Sequence, residues 1–444
     1  MKNYDLILRQ GEALLYHEGK IQRQISDIAI LNGLIAEISP QIKASSTKEI
    51  SLKGLTILPG VIDSQVHFRE PGLTQKEDFE TGTKAALMGG VTSIFEMPNT
   101  LPPTIHLENL DEKIHRAEGR AYANYAFYAG AADDNTAELK GLENHPHCPG
   151  VKVFMGSSTG TLLIESDALL EKVLTHTNRR IIVHSEDEMR LKARKEFSLQ
   201  HHDVHQHPIW RDVETAVSST KRLLHLARKH NHKVHVLHIS TAEEMDILKN
   251  EKDIASVEVL PNHLTFWAPD CYDKLGTYAQ QNPPIREKRH RDALWAAIAN
   301  GTADIIGSDH APHTREEKDR PYPQSPSGTP GVQTLVPVML NHVHEGRMSL
   351  ERFVEMTSEN PRKIFDIKNK GRLQVGFDAD FTVVDLNKTK TIENKWIASR
   401  CGWTPFDGMT VVGWPIYTIL NGKIAMAEDE IIAPPQGRPI FFNK

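Results

Sequence analysis

Val61-Ile62-Asp63-Ser64-Gln65-Val66-His67-Phe68-Arg69-Glu70-Pro71-Gly72 is the stretch whose reading decides the fold. It continues an apolar run of strand type that begins at Leu58, after Thr56-Ile57, and it breaks at Glu70-Pro71-Gly72, a strong turn signal. Polar side chains therefore gather where the strand ends. Gln65 and His67 fall on one face by the two-residue period of a strand, and Arg69 lies just beyond. A metal ligand, its companion and a cation for an anionic substrate would share one mouth.

Outward from this stretch the pattern repeats. Strand-like segments occur at 61–68, 91–97, 121–128, 151–155, 180–184, 233–238, 256–260 and 303–307. Helix-like stretches separate most of them, at 78–88, 168–175, 213–229, 242–249 and 290–299. Eight strands with intervening helices predict a closed parallel (β/α)8 barrel of the TIM type rather than an open sheet. Polar residues cluster at or just after the strand ends: His67 and Arg69, Asn99, Lys152, His184, His238, Asn262-His263 and Asp309-His310. Such a barrel carries its chemistry at those ends.

The two ends of the chain read differently. Residues 1–57 hold short strands around Leu6, Ala29 and Ala36, with Asn32-Gly33 as a hairpin signal. The same kind of strand recurs at 378–385 and 414–423, the latter closing on Asn421-Gly422. The expected organisation is a barrel over 58–369 and a smaller β-sandwich domain built from 1–57 plus 370–444. Residues 311–331, with five prolines and two glycines, read as a long loop after the eighth strand, a lid or a surface connection.

A chain of 444 residues with 39% hydrophobic content can bury a large core. Its 52 Lys+Arg against 58 Asp+Glu, a formal charge of −6, argue against a nucleic-acid binder. Cys148, Cys271 and Cys401 are too few for a disulfide framework, which fits a reducing cytoplasm. The first twenty residues carry charges throughout and have no signal-peptide core. No apolar run approaches the roughly 20 residues that span a bilayer.

Histidines and carboxylates at strand ends can hold a hard or borderline cation and leave a position open for water. The candidates are His67, Lys152, His184, His238 and Asp309, at the ends of strands one, four, five, six and eight. This order of residues resembles the amidohydrolase superfamily, whose first barrel strand carries Asp-x-His-x-His. The longer form Asp-x-His-x-His-Phe-Arg-Glu-Pro-Gly is the hallmark of its dihydroorotase branch, and the similarity runs from about Leu58 to Pro330.

The resemblance implies a good deal. Lys152 would be the lysine that reacts with CO2 to become a bridging carbamate. The cofactor would be zinc, and the metal ligands would be His67, Lys152, His184, His238 and Asp309. Asp309 would take the proton of the attacking water and return it to the leaving amide nitrogen. Arg69, Asn99 and His313 would receive a substrate carboxylate, and Asn282, in Asn282-Pro283-Pro284-Ile285-Arg286, the ring amide edge. The implied reaction interconverts N-carbamoyl-L-aspartate and L-dihydroorotate in pyrimidine biosynthesis. A homodimer and an aspartate transcarbamoylase partner are the implied associations.

Gln65 departs from the pattern, standing where the first histidine would be. A neutral amide oxygen is a poorer zinc ligand than imidazole. The expectation is one tight metal site, with a second weak or absent. Two other readings stay open: an inactive dihydroorotase-like scaffold for aspartate transcarbamoylase, and a hydantoinase- or allantoinase-type cyclic amidase. The histidine-rich stretch 201–207 reads as a solvated loop, and His145-Pro146-His147-Cys148 lacks a second ligand pair at zinc-site spacing.

Overall fold

The computed structural model describes residues 3–157, 162–200 and 202–443. Its centre is a parallel barrel. The first three strands, Val61–Val66, Val91–Glu96 and Asn124–Phe127, pair in order. The third is interrupted at Tyr128 and resumes as Ala129–Gly130, which pairs with Val151–Phe154. Ile181–His184, Val234–Val236, Ala255–Val259 and Ile305–Ile306 complete the set. Closure comes where Val66 bridges His310 and the His67 amide donates to His310 O at 2.7 Å. Each strand falls on a segment expected from sequence, with two departures: Ala255–Val259 starts one residue before the expected 256–260, and Ala129–Gly130 extends the third strand past 121–128. Every residue of the first strand is buried, as a sheet covered on both faces requires.

Helices on the outside form for ordinary reasons. In Val213–Lys229, Asp212 accepts a hydrogen bond from the Thr215 amide as N-cap, and Ala216, Leu223 and Ala227 give one buried stripe. The helix expected at 78–88 is Phe79–Met88, capped by Asp78.

Strands from both ends of the chain form one nine-stranded mixed sheet. Thr56–Pro59 lies between Asn3–His17 and Phe381–Thr391, so the N-terminal and C-terminal parts interleave. The two Asn-Gly hairpins have left-handed backbones, with φ of 53° and 79° at Asn32-Gly33 and 49° and 83° at Asn421-Gly422. They pack on each other so closely that a Cβ on Gly422 would meet the Gly33 Cα at 2.8 Å. The sheet thus curls over its own core of Leu8, Ile28, Ile57, Phe381 and Ile419.

After that sheet the chain returns to the barrel. The Gly437 amide donates to Ala121 O and the Ile440 amide to Tyr125 O, both at 2.9 Å. Ile440 and Phe442 join the cluster of Phe95, Tyr128 and Phe365. The 311–331 segment is packed rather than loose: it contains a short helix, Arg315–Lys318, and the Gly328 amide donates to Gln280 O at 2.9 Å.

Candidate active site

The expected site residues meet at the C-terminal mouth of the barrel. His184 is the last residue of the fifth strand, and His238 and Asp309 follow the sixth and eighth. Arg69, His238 and Asp309 have φ of 65°, 37° and 46°. Non-glycine residues seldom adopt this left-handed region, at a cost of about 1–3 kcal/mol each, and such strain gathers at functional sites.

His184 and His238 form one pair, with Nδ1 and Nε2 respectively 3.0 Å apart. Glu186 Oε2 lies 2.9 Å from His184 Nε2, and a carboxylate only accepts, so the proton is on Nε2 and Nδ1 keeps its lone pair. Burial and the neighbouring cations keep both imidazoles below their ordinary pKa. His238 Nδ1 is buried without a partner. Glu186 is buried too, yet Arg211 holds its carboxyl well below the usual range through bonds of 3.0 and 3.2 Å from Nε.

His67 and Asp309 form the second pair. His67 Nδ1 donates to Asn99 Oδ1 at 2.8 Å, which turns the lone pair on Nε2 toward Asp309 Oδ1, 3.3 Å away. Two electron-rich atoms facing each other is a contact that a cation would relieve. Gln65 approaches the same carboxylate through its amide nitrogen, Nε2 to Asp309 Oδ1 at 3.0 Å, while its Oε1 is buried without a partner.

Lys152 joins the two pairs. Its charge lowers the pKa of His67, His184 and His238, and Asp309 in turn favours the ammonium. Burial nevertheless pushes the amine down to about 7. Its Nζ stands over the Phe154 ring, 4.4 Å from the centroid. Among the described residues no three His, Cys, Asp or Glu side chains close around a single point. The donors come as two pairs with an amine and an amide between them. Their unprotonated nitrogens, orphaned atoms and carboxylate suit a divalent cation.

The residues assigned to the substrate lie around this centre. Arg69 is 2% exposed and donates from Nε to Pro312 O at 3.2 Å. Burial lowers its pKa to about 10, and among the described residues no carboxylate pairs with it. His313 stands 3.4 Å from Arg69 Nη2, but its Nε2 proton goes to Ser327 O at 3.1 Å and its Nδ1 accepts from Lys76 Nζ at 3.1 Å. Burial first, and then these cations, lower His313 to about 3, so it is neutral. Asn282 is held through Oδ1 by His207 Nε2 at 3.0 Å, which leaves its amide NH2 as the end that donates.

Sequence reasoning passed over several groups that the structure puts to use. His207 belongs to the stretch read as a solvated loop but is fully buried beneath Asn282. In the same stretch His205 does lie outside, between Asp203 and Asp273, and His201 is outside the described residues. Asp63 and Glu258 are buried directly beneath the site, Asp63 accepting from the Gln65 and Ser308 amides and Glu258 from the His238 amide. Burial raises them to about 7 and about 8. Glu186 follows His184 by two residues and was visible as a potential partner, whereas nothing local marked Arg211.

Comparison with known proteins agrees with this architecture. Residues 56–425 match the model of the amidohydrolase family. A dihydroorotase of Methanosarcina acetivorans is 35% identical over 435 residues, covering 94% of this chain and 92% of that protein. A dihydroorotase of Pyrococcus abyssi is 36% identical over 417 residues, covering 93% and 94%. Among solved structures, the L-hydantoinase (dihydropyrimidinase) of Arthrobacter aurescens superposes with a TM-score of 0.93 at 29% identity, covering 99% of this chain and 100% of that one. The chain belongs to the amidohydrolase family, as a hydrolase of cyclic amides.

Proposed function

We propose that the chain is a dihydroorotase, interconverting N-carbamoyl-L-aspartate and L-dihydroorotate in pyrimidine biosynthesis. The observation that carries this reading is Arg69, a buried guanidinium at the mouth that meets a backbone carbonyl and the neutral His313 ring but, among the described residues, pairs with no carboxylate. A buried cation without a counter-ion is costly unless an anion arrives with the ligand. Dihydroorotate brings a carboxylate; a plain hydantoin ring does not. The names of the similar proteins at 32–36% identity favour the same substrate.

Each residue has a role in this reading. His184 through Nδ1, His238 through Nε2, His67 through Nε2, Asp309 and a carbamate on Lys152 would hold zinc. Bound there, the metal would make a water acidic enough to attack a ring carbonyl at neutral pH. Lys152 is suited to carbamate formation because burial keeps a large share of it as the free amine near neutrality. Its nitrogen bonds to the carbon of CO2 and a proton leaves. Asp309 accepts the proton of the attacking water and delivers it to the departing amide nitrogen. Arg69 and His313 orient the carboxylate, Asn99 fixes the His67 tautomer, and Asn282 faces the ring amide. Gln65 hydrogen-bonds Asp309 where an imidazole would ligate, which supports one tightly held zinc and a second that is weak or absent. Self-association as a homodimer, a cytoplasmic location and partnership with aspartate transcarbamoylase complete the proposal.

The test is hydrolysis of dihydroorotate, followed by loss of ultraviolet absorbance, with and without added zinc. Zinc-dependent turnover is expected. Turnover of hydantoin but not dihydroorotate would replace this reading with a hydantoinase. Turnover of neither would leave the inactive scaffold.

A further inference from the structure

At the opposite end of the barrel lies a concave cavity of about 730 Å³. Arg179 and Arg180 immediately precede the fifth strand and Lys233 the sixth, so these cations sit at the strand N-termini, away from His184 and His238. Lys363 adds a fourth charge, and Asp366 is the one acidic residue of the lining.

The state of these cations is unusual. Arg179 donates to Cys148 O at 2.8 Å and to Asn443 O at 2.6 Å. Arg180 Nη1 donates to Val234 O at 2.8 Å, while its Nε is buried without a partner. Carbonyl oxygens orient a guanidinium but do not neutralise it. Lys233 is exposed, and its ammonium has no hydrogen bond or ion pair among the described residues; its backbone carbonyl is engaged, accepting from the Ile181 amide at 3.3 Å. Nearby acids are already engaged: Glu143 accepts from the Asn178 and Arg179 amides at 2.8 and 3.0 Å, and Glu171 pairs with Lys229 at 2.5 Å. Lys363 pairs with Glu359 at 3.0 Å. A concavity that gathers like charge focuses its field outward and concentrates counter-ions.

We propose that this cavity binds a small phosphorylated molecule. The volume lies in the range of small-molecule sites, about 300–1,000 Å³. The Arg179 and Arg180 guanidiniums, fixed by carbonyls through some of their N–H groups, keep others that can donate to phosphate oxygens. Asn178, Asn231 and Thr175 in the lining supply neutral donors and acceptors for the rest of the ligand.

Inorganic pyrophosphate is the probe. Titration calorimetry on the full chain at low salt should show saturable binding that added sodium chloride weakens. Lys233→Glu should weaken it by about tenfold or more, and Lys233→Ala by less, as expected for the loss of one charge-assisted contact. Both variants should keep the unfolding temperature and the hydrolytic activity, because the Lys233 side chain has no hydrogen bond or ion pair to lose and its backbone bonds survive the substitution. Arg69→Ala should leave pyrophosphate binding unchanged. The proposal is overturned by no saturable binding, by binding that Lys233→Glu does not weaken, or by binding that Arg69→Ala abolishes, which would put the anion at the catalytic mouth.

Discussion

Gln65 turns its amide nitrogen, not its oxygen, toward Asp309. A hydrogen bond from a neutral amide satisfies one carboxylate lone pair without bringing a charge, so the pair is stable with no cation beside it. An imidazole at the same place would instead offer a lone pair for a second metal. Gln65→Asn would not repair this, since an amide is no better a zinc ligand for being shorter. Gln65→His is expected to raise the tightly held zinc from one ion per chain to two, read by elemental analysis after exhaustive dialysis. Two ions already retained by the unaltered chain would contradict the one-metal reading. Arg69 illustrates the other half of residue-scale reasoning: its identity announced a cation, but only burial without a counter-ion made it a receptor for an anion.

Elements are aimed by polar contacts buried between them. Lys113, on the helix Leu107–Ala117, pairs with Glu96 at the end of the second barrel strand and donates to Met97 O at 3.2 Å, two residues before Asn99. Both side chains are 1% exposed. Removing one member of such a pair leaves the other charge stranded at a cost of about 3–5 kcal/mol. Lys113→Met should therefore lose about that much stability in urea denaturation at pH 8. Burial already raises Glu96 to about 7, so protonation can relieve the stranded carboxylate. The deficit should shrink at pH 5.5, and a deficit independent of pH would show that the charge is not its source.

At the scale of the molecule, the last residues close the barrel floor. Phe442 stacks edge-on against Phe95 with ring centroids 5.5 Å apart and is 5% exposed. Phe442→Ala should cost about 3–5 kcal/mol in chemical denaturation, with dihydroorotate turnover per folded molecule retained, because the site is at the other end. A second link runs through Glu359, which ends the π-helical turn Glu355–Glu359 and pairs with Arg362, Lys363 and Arg372 at 3.0, 3.0 and 2.6 Å. Burial opposes its charge, but the three cations hold it at about 2. A carboxyl lowered from its unfolded value of about 4.3 stabilises the fold above that value and ceases to as pH falls toward about 2. The gap in unfolding temperature between the unaltered chain and Glu359→Gln should be constant above about pH 5 and narrow through that window.

Periodicity and punctuation were enough, from sequence alone, for the barrel. Alternating strand and helix patterns are local, and His184, His238 and Asp309 fall at or just after strand ends whatever the partners are. Lys152, expected at an end, is instead the second residue of Val151–Phe154 and reaches the site from within the ladder. The Asn-Gly hairpins are legible for the same reason, since left-handed backbone at 32–33 and 421–422 favours those residue types. What tertiary structure alone decided concerns pairs far apart in the chain. Arg211 steadying Glu186, His207 under Asn282, and a tail at 437–443 packed on the barrel leave no local trace in spacing or composition. Nor does the orientation of the Gln65 amide, because which end faces Asp309 depends on a hydrogen bond spanning 244 residues.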